Sequence, residues 1–205
     1  MDRTYLKSKA KEQLRGRWGL AIITVIVSNF FINTASFSQG LNLIIDISDR
    51  LSFTFNLITL FFGGVISVGL RKFLLNFASN KEKPRFKDIF SYFNIFFKSL
   101  GLQLLMAVII LFGFIFLIIP GIIVSLMYSQ AYYILAEDPQ KGIIECLEES
   151  SKLIYGHKWE FFVLNLSFIG WWLLSFLTFG IASLWVEPYQ KVTEANYYLK
   201  LKYNI

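Results

Sequence analysis

Four stretches of this chain carry no charged residue: 18–45, 51–70, 99–136 and 161–186. Each is long enough to cross a hydrocarbon core of roughly 30 Å. A chain of 205 residues has no interior that could bury four such runs as core helices. Composition agrees: 55% of the residues are hydrophobic, against about 45–50% in an ordinary soluble domain. The sequence therefore predicts an all-α, polytopic helical membrane protein with one integral membrane domain over 1–205. The first run has no clear small-x-small cleavage site and the rest of the chain is equally apolar, so it reads as a retained transmembrane helix.

Run 99–136 fixes much of the topology. Its 38 residues would make a helix about 57 Å long at 1.5 Å per residue. Ordinary tilt does not absorb that excess, so the run folds back on itself. Pro120-Gly121 is the natural place: proline lacks the amide proton and glycine tolerates a left-handed turn. The arms are then 99–118 and 122–137. Two earlier spans cover 18–37 and 52–72, joined by the partly polar SQGLNLIIDISD. The last run is open to two readings. It is either one tilted helix of 26 residues, giving five spans, or a hairpin turning at Thr178-Phe179-Gly180, with arms 161–177 and 180–198, giving six.

Charge placement favours six. With the N-terminus inside, segments 1–17, 71–98, 137–160 and the tail from Glu187 hold 19 of the 20 Lys and Arg residues, and only Arg50 lies outside. A five-span chain would move Lys191, Lys200 and Lys202 outside, against the positive-inside rule. The expected location is a bacterial cell membrane, with both termini cytoplasmic. Glu187 weighs the other way, because a carboxylate in hydrocarbon is costly unless it is paired or near the interface.

A weak internal repeat accompanies these spans. RTYLKSKAKEQLRGRWG (3–19), PRFKDIFSYFNIFFKSLG (84–101) and PQKGIIECLEESSKLIYGHKW (139–159) each precede a hairpin. Each has apolar residues at helical spacing: Tyr5, Leu6, Ala10 and Leu14; Phe86, Ile89, Phe90 and Phe93; Ile143, Ile144, Leu147, Ser151 and Ile154. They read as amphipathic helices on the cytoplasmic interface. Gly16-Arg17-Trp18 and Gly156-His157-Lys158-Trp159 form similar junctions. The description is a threefold unit of interfacial helix plus hairpin, although interfacial anchoring alone would also give this pattern.

Several pieces resemble one known family: KAKEQLRGRWGLAI, FKDIFSYF, LIIPGIIVSLMYSQAYYILAEDP and the long C-terminal run from SKLIYGHKW through SFIGWW and EPYQK to LKL. They are similar to an uncharacterised bacterial integral membrane family, formerly labelled domain of unknown function 975, found largely in Gram-positive bacteria. That family is distantly similar to the membrane region of some glycerophosphodiester phosphodiesterases. The resemblance implies a multi-span helical fold and supplies no activity or catalytic residue.

The residues add little chemistry. No phosphate loop, zinc-protease motif or CxxC pair is present, so no catalytic residue, metal ligand or cofactor is named. The single Cys146 excludes an internal disulfide, and its acidic neighbours favour an inert thiol. The single His157 excludes a multi-histidine metal site. His157 and Lys158, with Glu160, are candidates for holding a lipid phosphate, against the plainer reading of a wet helix boundary. Glu187, before Pro188, is a candidate polar position, with pairing to Arg71, Lys72 or Lys191 as the plainer account. Asn29 and Asn33 share a helix face, and with Gln103, Gln130 and Asn165 they serve either substrate contact or helix-helix bonding. FSYFNIFF flanks a span and has few basic residues within it, so it anchors in membrane and is not a nucleic-acid platform.

Three functions follow as expectations. The favoured one is binding, scaffolding or assisting movement of a lipid or amphiphile, with anionic headgroups drawn to the basic inner surface. The others are a small-solute transporter or export accessory, and a membrane enzyme acting on a lipid. The sequence names no oligomeric state and no protein partner.

Overall fold

The computed structural model describes residues 3–34, 39, 49–79 and 82–203, and every regular element among them is helical. The helices are α1 (Arg3–Leu14), α2 (Trp18–Ile32), α3 (Asp49–Ser79), α4 (Phe96–Phe116), α5 (Ile118–Met127), α6 (Ala131–Glu137), α7 (Ile143–Ile154), α8 (Lys158–Leu166), α9 (Ile169–Leu177) and α10 (Ser183–Tyr203). Two 3₁₀ turns, Phe86–Phe90 and Phe93–Ile95, precede α4. Most of the connection 38–49 and the end of the predicted span 18–37 lie outside the described residues.

Among the described residues four stretches are long and apolar enough to cross a membrane: Asp49–Ser79, Phe86–Phe116, Ile118–Glu137 and Lys158–Leu177. α1 and α2, bent by 102° at their join, make a fifth candidate if taken as one span. α10 is a separate helix but is not among these stretches, because Glu187, Gln190, Lys191 and Glu194 interrupt its apolar residues.

The hairpin in 99–136 forms, but not at Pro120-Gly121. The break is at Leu117, whose backbone is extended (φ −167°, ψ 156°). Pro120 lies in the first turn of α5, where its missing amide proton would have had no helical acceptor anyway. Gly121 is not left-handed. Its role is close approach: a Cβ there would sit 2.5 Å from the Phe114 ring of the facing arm. The second arm is itself interrupted at Tyr128–Gln130. Ser150 of α7 spans that interruption, accepting from the Gln130 amide at 3.2 Å and donating to the Met127 carbonyl at 2.7 Å.

The turn at 178–180 occurs as expected. α9 ends with the Gly180 amide on the Ser175 carbonyl (2.8 Å) and the Phe179 amide on that of Phe176 (3.2 Å). This is the Schellman pattern, and it holds Phe179 and Gly180 at positive φ (51° and 87°). The arm before it is not one helix, since α8 and α9 are separated at Ser167–Phe168.

The stretches before the hairpins differ from the expected surface helices. The middle one is made of 3₁₀ turns, with Ile89 buried and Phe86, Phe90 and Phe93 exposed. In α1, Leu6, Ala10 and Leu14 are buried while Tyr5 is exposed. In α7 the buried face is Cys146, Leu147, Ser150 and Ile154, with Ile144 exposed, so it is rotated relative to the predicted one. The stripes of α1 and α7 therefore face protein, whereas of the middle one only Ile89 does. α1 packs on α10 and α3, α7 packs on α4, α5 and α6, and the first 3₁₀ turn packs on α3 and α2.

α1–α2 and α7–α8 repeat one arrangement at an offset of 140 residues. Buried Leu6, Ala10 and Leu14 correspond to buried Cys146, Ser150 and Ile154. Gly16 and Gly156 follow with φ of 78° and 80°. In both, the next amide returns to the end of the stripe at 2.9 Å (Arg17 to Leu14, His157 to Ile154). Buried Ala21, Thr24 and Ser28 then match buried Phe161, Leu164 and Phe168.

Candidate functional site

The repeated junction places Trp18 beside the C-terminal hairpin. Between α1–α2 and α9–α10 lies a cavity of about 360 Å³, walled by Trp18, Trp171, Leu174, Trp185 and Tyr189, with Lys11 as its cation. This volume falls in the roughly 300–1,000 Å³ range of small-molecule sites, and a mostly apolar wall with one convergent charge is the usual form of such a site.

Neighbouring contacts hold the walls. Lys7 donates to the Ser167 carbonyl at 2.9 Å, in the gap between α8 and α9. Its ammonium also lies 4.1 Å from the centre of the Phe168 ring. Burial, and then the nearby Arg3, lower the Lys7 pKa below that of an ordinary lysine. Phe168 meets Tyr189 edge-on, with ring centres 5.2 Å apart. On the other side of the hairpin, Trp172 donates to Gln190 (2.8 Å), and Gln190 donates to Asn165 (2.9 Å) and Glu194 (3.0 Å).

A second polar group ties α3, α6 and α10 together. Arg71 donates to the Tyr133 hydroxyl at 3.5 Å, and that hydroxyl donates to the Lys191 carbonyl at 3.4 Å. The Arg71 guanidinium lies over the Tyr133 ring, which stacks on Tyr198 with centres 5.1 Å apart. Toward the chain end, Lys202 bonds Glu137 (2.8 Å) and Glu149 (3.1 Å), and Glu149 also bonds Lys141. Burial opposes ionisation of Glu149, but hydrogen bonds from Lys141 and Lys202 outweigh it and hold the carboxyl below its usual range. Burial likewise opposes the charge on Lys202, and Glu137 and Glu149 more than compensate, raising its pKa.

The residues singled out in the sequence do not gather at one place. His157 precedes the first residue of α8 and faces Glu160 at 3.0 Å, while its carbonyl accepts from Tyr197 at 3.2 Å. Lys158 begins α8, half-buried. Glu187 pairs with Lys191 at 3.5 Å. Asn29 and Asn33 lie at the end of α2, where the Asn33 amide bonds the Asn29 carbonyl. Asn165 and Gln103 bond other helices, through Gln190 and the Thr59 carbonyl, and Gln130 is buried at the α5–α6 break. Cys146 is buried, and burial pushes its thiol up to about 11. Among the described residues no group of three or more His, Cys, Asp and Glu side chains is arranged to hold a metal ion.

Sequence reasoning missed Lys11, Trp171 and Trp185 as neighbours. The signal was the concentration of Trp in the last hairpin. Its link to Lys11 is invisible because it joins opposite ends of the chain.

Helices this long and apolar, four or five in number among the described residues, are compatible with the class of multi-pass membrane proteins. Within it, the chain belongs to the family described as Protein of unknown function (DUF975), whose profile matches residues 1–119 and 107–204. No curated protein and no solved structure matches the chain. No match connects it to the membrane region of glycerophosphodiester phosphodiesterases.

Proposed function

We propose that this is a six-span protein of the bacterial cell membrane, with both termini cytoplasmic, that binds an anionic amphiphile and holds it or assists its movement. The cavity between α1–α2 and α9–α10 carries the reading. Its tryptophans offer an apolar seat for an acyl chain, and Lys11 offers a cation for the headgroup. The six-span reading is supported by the separate α10 after the 178–180 turn, and by the basic residues that six crossings leave on one side. In this reading three units close into a ring. The packing of the first 3₁₀ turn on α3, α7 on α6, and α1 on α10 supports that closure.

An enzymatic reading finds no support in His157 and Glu187, which pair separately with Glu160 and Lys191. The test is tryptophan quenching by brominated phosphatidylglycerol or phosphatidylcholine in reconstituted vesicles. Stronger quenching by the anionic lipid is expected, with the difference weakened by salt and by Lys11→Gln. Equal quenching by both lipids at all salt concentrations would sink the proposal.

A further inference from the structure

The α7 unit adjoins an apolar space of its own. A groove of about 390 Å³ runs between α4 and α7, floored by Leu105, Ile109, Tyr128, Ile144 and Leu147. At the 140-residue offset, its lining residues Glu148, Ser151 and Lys152 correspond to Ser8, Lys11 and Glu12 of α1. One equivalent position, Lys11 in α1 and Ser151 in α7, thus borders an apolar space in both units.

The charges at the two spaces differ. The α1 space has Lys11 alone. The α7 groove has a Glu148–Lys152 pair at 3.7 Å, with side chains 63% and 79% exposed. Such a pair is only weakly held together in water, so either member can turn to a ligand group. One carboxylate and one ammonium a helical turn apart complement a headgroup bearing both an ammonium and a phosphate.

We infer that this groove seats a phospholipid with a phosphoethanolamine headgroup. Its acyl chain lies on Leu105, Ile109 and Leu147, its phosphate meets Lys152, and its ammonium meets Glu148. The seat extends the proposed amphiphile binding to a second site of different headgroup class, and it rests on the membrane placement of that reading.

The experiment uses the full chain purified in neutral detergent. It is supplied with phosphatidylethanolamine or phosphatidylglycerol, and retained lipid is counted by native mass spectrometry. Glu148→Gln, on the exposed face, should weaken phosphatidylethanolamine retention about three- to five-fold, as for loss of one exposed ion pair, and leave phosphatidylglycerol unchanged. Ile144→Trp, filling the groove from an exposed position, should remove one phosphatidylethanolamine per protein without lowering the melting temperature. Unchanged phosphatidylethanolamine retention in Glu148→Gln overturns the inference. Full displacement of the lipid by an equal concentration of soluble phosphoethanolamine overturns it too, since the acyl chain would then add nothing. Lys11→Gln separates the two readings. If it leaves phosphatidylglycerol retention intact while Glu148→Gln acts as expected, the α1 cavity fails and the α7 groove stands.

Discussion

The α1–α2 and α7–α8 junctions share a backbone but serve different neighbours. Both end an amphipathic helix on a left-handed glycine, and both bury three residues four apart. In α1 the middle residue is Ala10, on a helix packed against α10 and α3. In α7 it is Ser150, whose hydroxyl bonds the Gln130 amide and the Met127 carbonyl at a broken helix. A methyl group suffices where the facing helices are intact. A hydroxyl is needed where an interruption leaves backbone groups without helical partners.

The largest test of this likeness is the end of each stripe. Leu14→Ala and Ile154→Ala both truncate fully buried side chains and should each cost about 2–5 kcal/mol, measured by reversible unfolding in detergent. A large effect at one site alone would break the equivalence. The middle positions should then diverge. Ser150→Ala should cost about 1–3 kcal/mol by leaving buried backbone groups unpaired. At Ala10 the serine is the foreign residue, and Ala10→Ser is expected to destabilise rather than stabilise in the same assay.

Gly16→Ala and Gly156→Ala should be smaller and alike, about 1–2 kcal/mol each, since both put a Cβ at positive φ, and neither position has a heavy atom within 4 Å of that Cβ. The smallest effect belongs to α7 alone. The Glu149 carboxyl has a depressed pKa, so its stabilisation is present above the unfolded value and lost as pH falls through the folded one. Lys202 has a raised pKa, so its part is present below the unfolded value and lost as pH rises through the folded one. Melting temperature against pH should therefore show a plateau at intermediate pH, and Glu149→Gln should flatten its acid side by about 1 kcal/mol or less.

Much of the fold was legible because its signals are local. Uncharged runs mark the apolar helices, and glycine-tryptophan junctions mark where α1 and α7 bend. The errors came from features that depend on a neighbour. Pro120 lacks an amide proton wherever it stands, but the chain breaks at Leu117, and Gly121 is used for its closeness to Phe114. PRFKDIFSYFNIFFKSLG has helical spacing at Phe86, Ile89, Phe90 and Phe93, yet that part forms 3₁₀ turns in which Ile89 packs so closely on α3 that a Cβ at Gly69 would collide with its carbonyl. For Glu187 the sequence offered Arg71, Lys72 or Lys191 as partners, and the packing selects Lys191, an ordinary one-turn helix contact.

The sequence by itself determined an all-helical chain, the main apolar stretches and the Leu6, Ala10 and Leu14 stripe of α1, because each follows from residue type and helical period over a short window. Only the tertiary structure decided that Lys11 shares a cavity with Trp171 and Trp185, that Arg71, Tyr133 and Lys191 meet, and that Ser150 bridges a broken helix. Those neighbours are far apart along the chain. Which of them touch is set by how the helices pack, through side-chain shape and the need to pair buried polar groups.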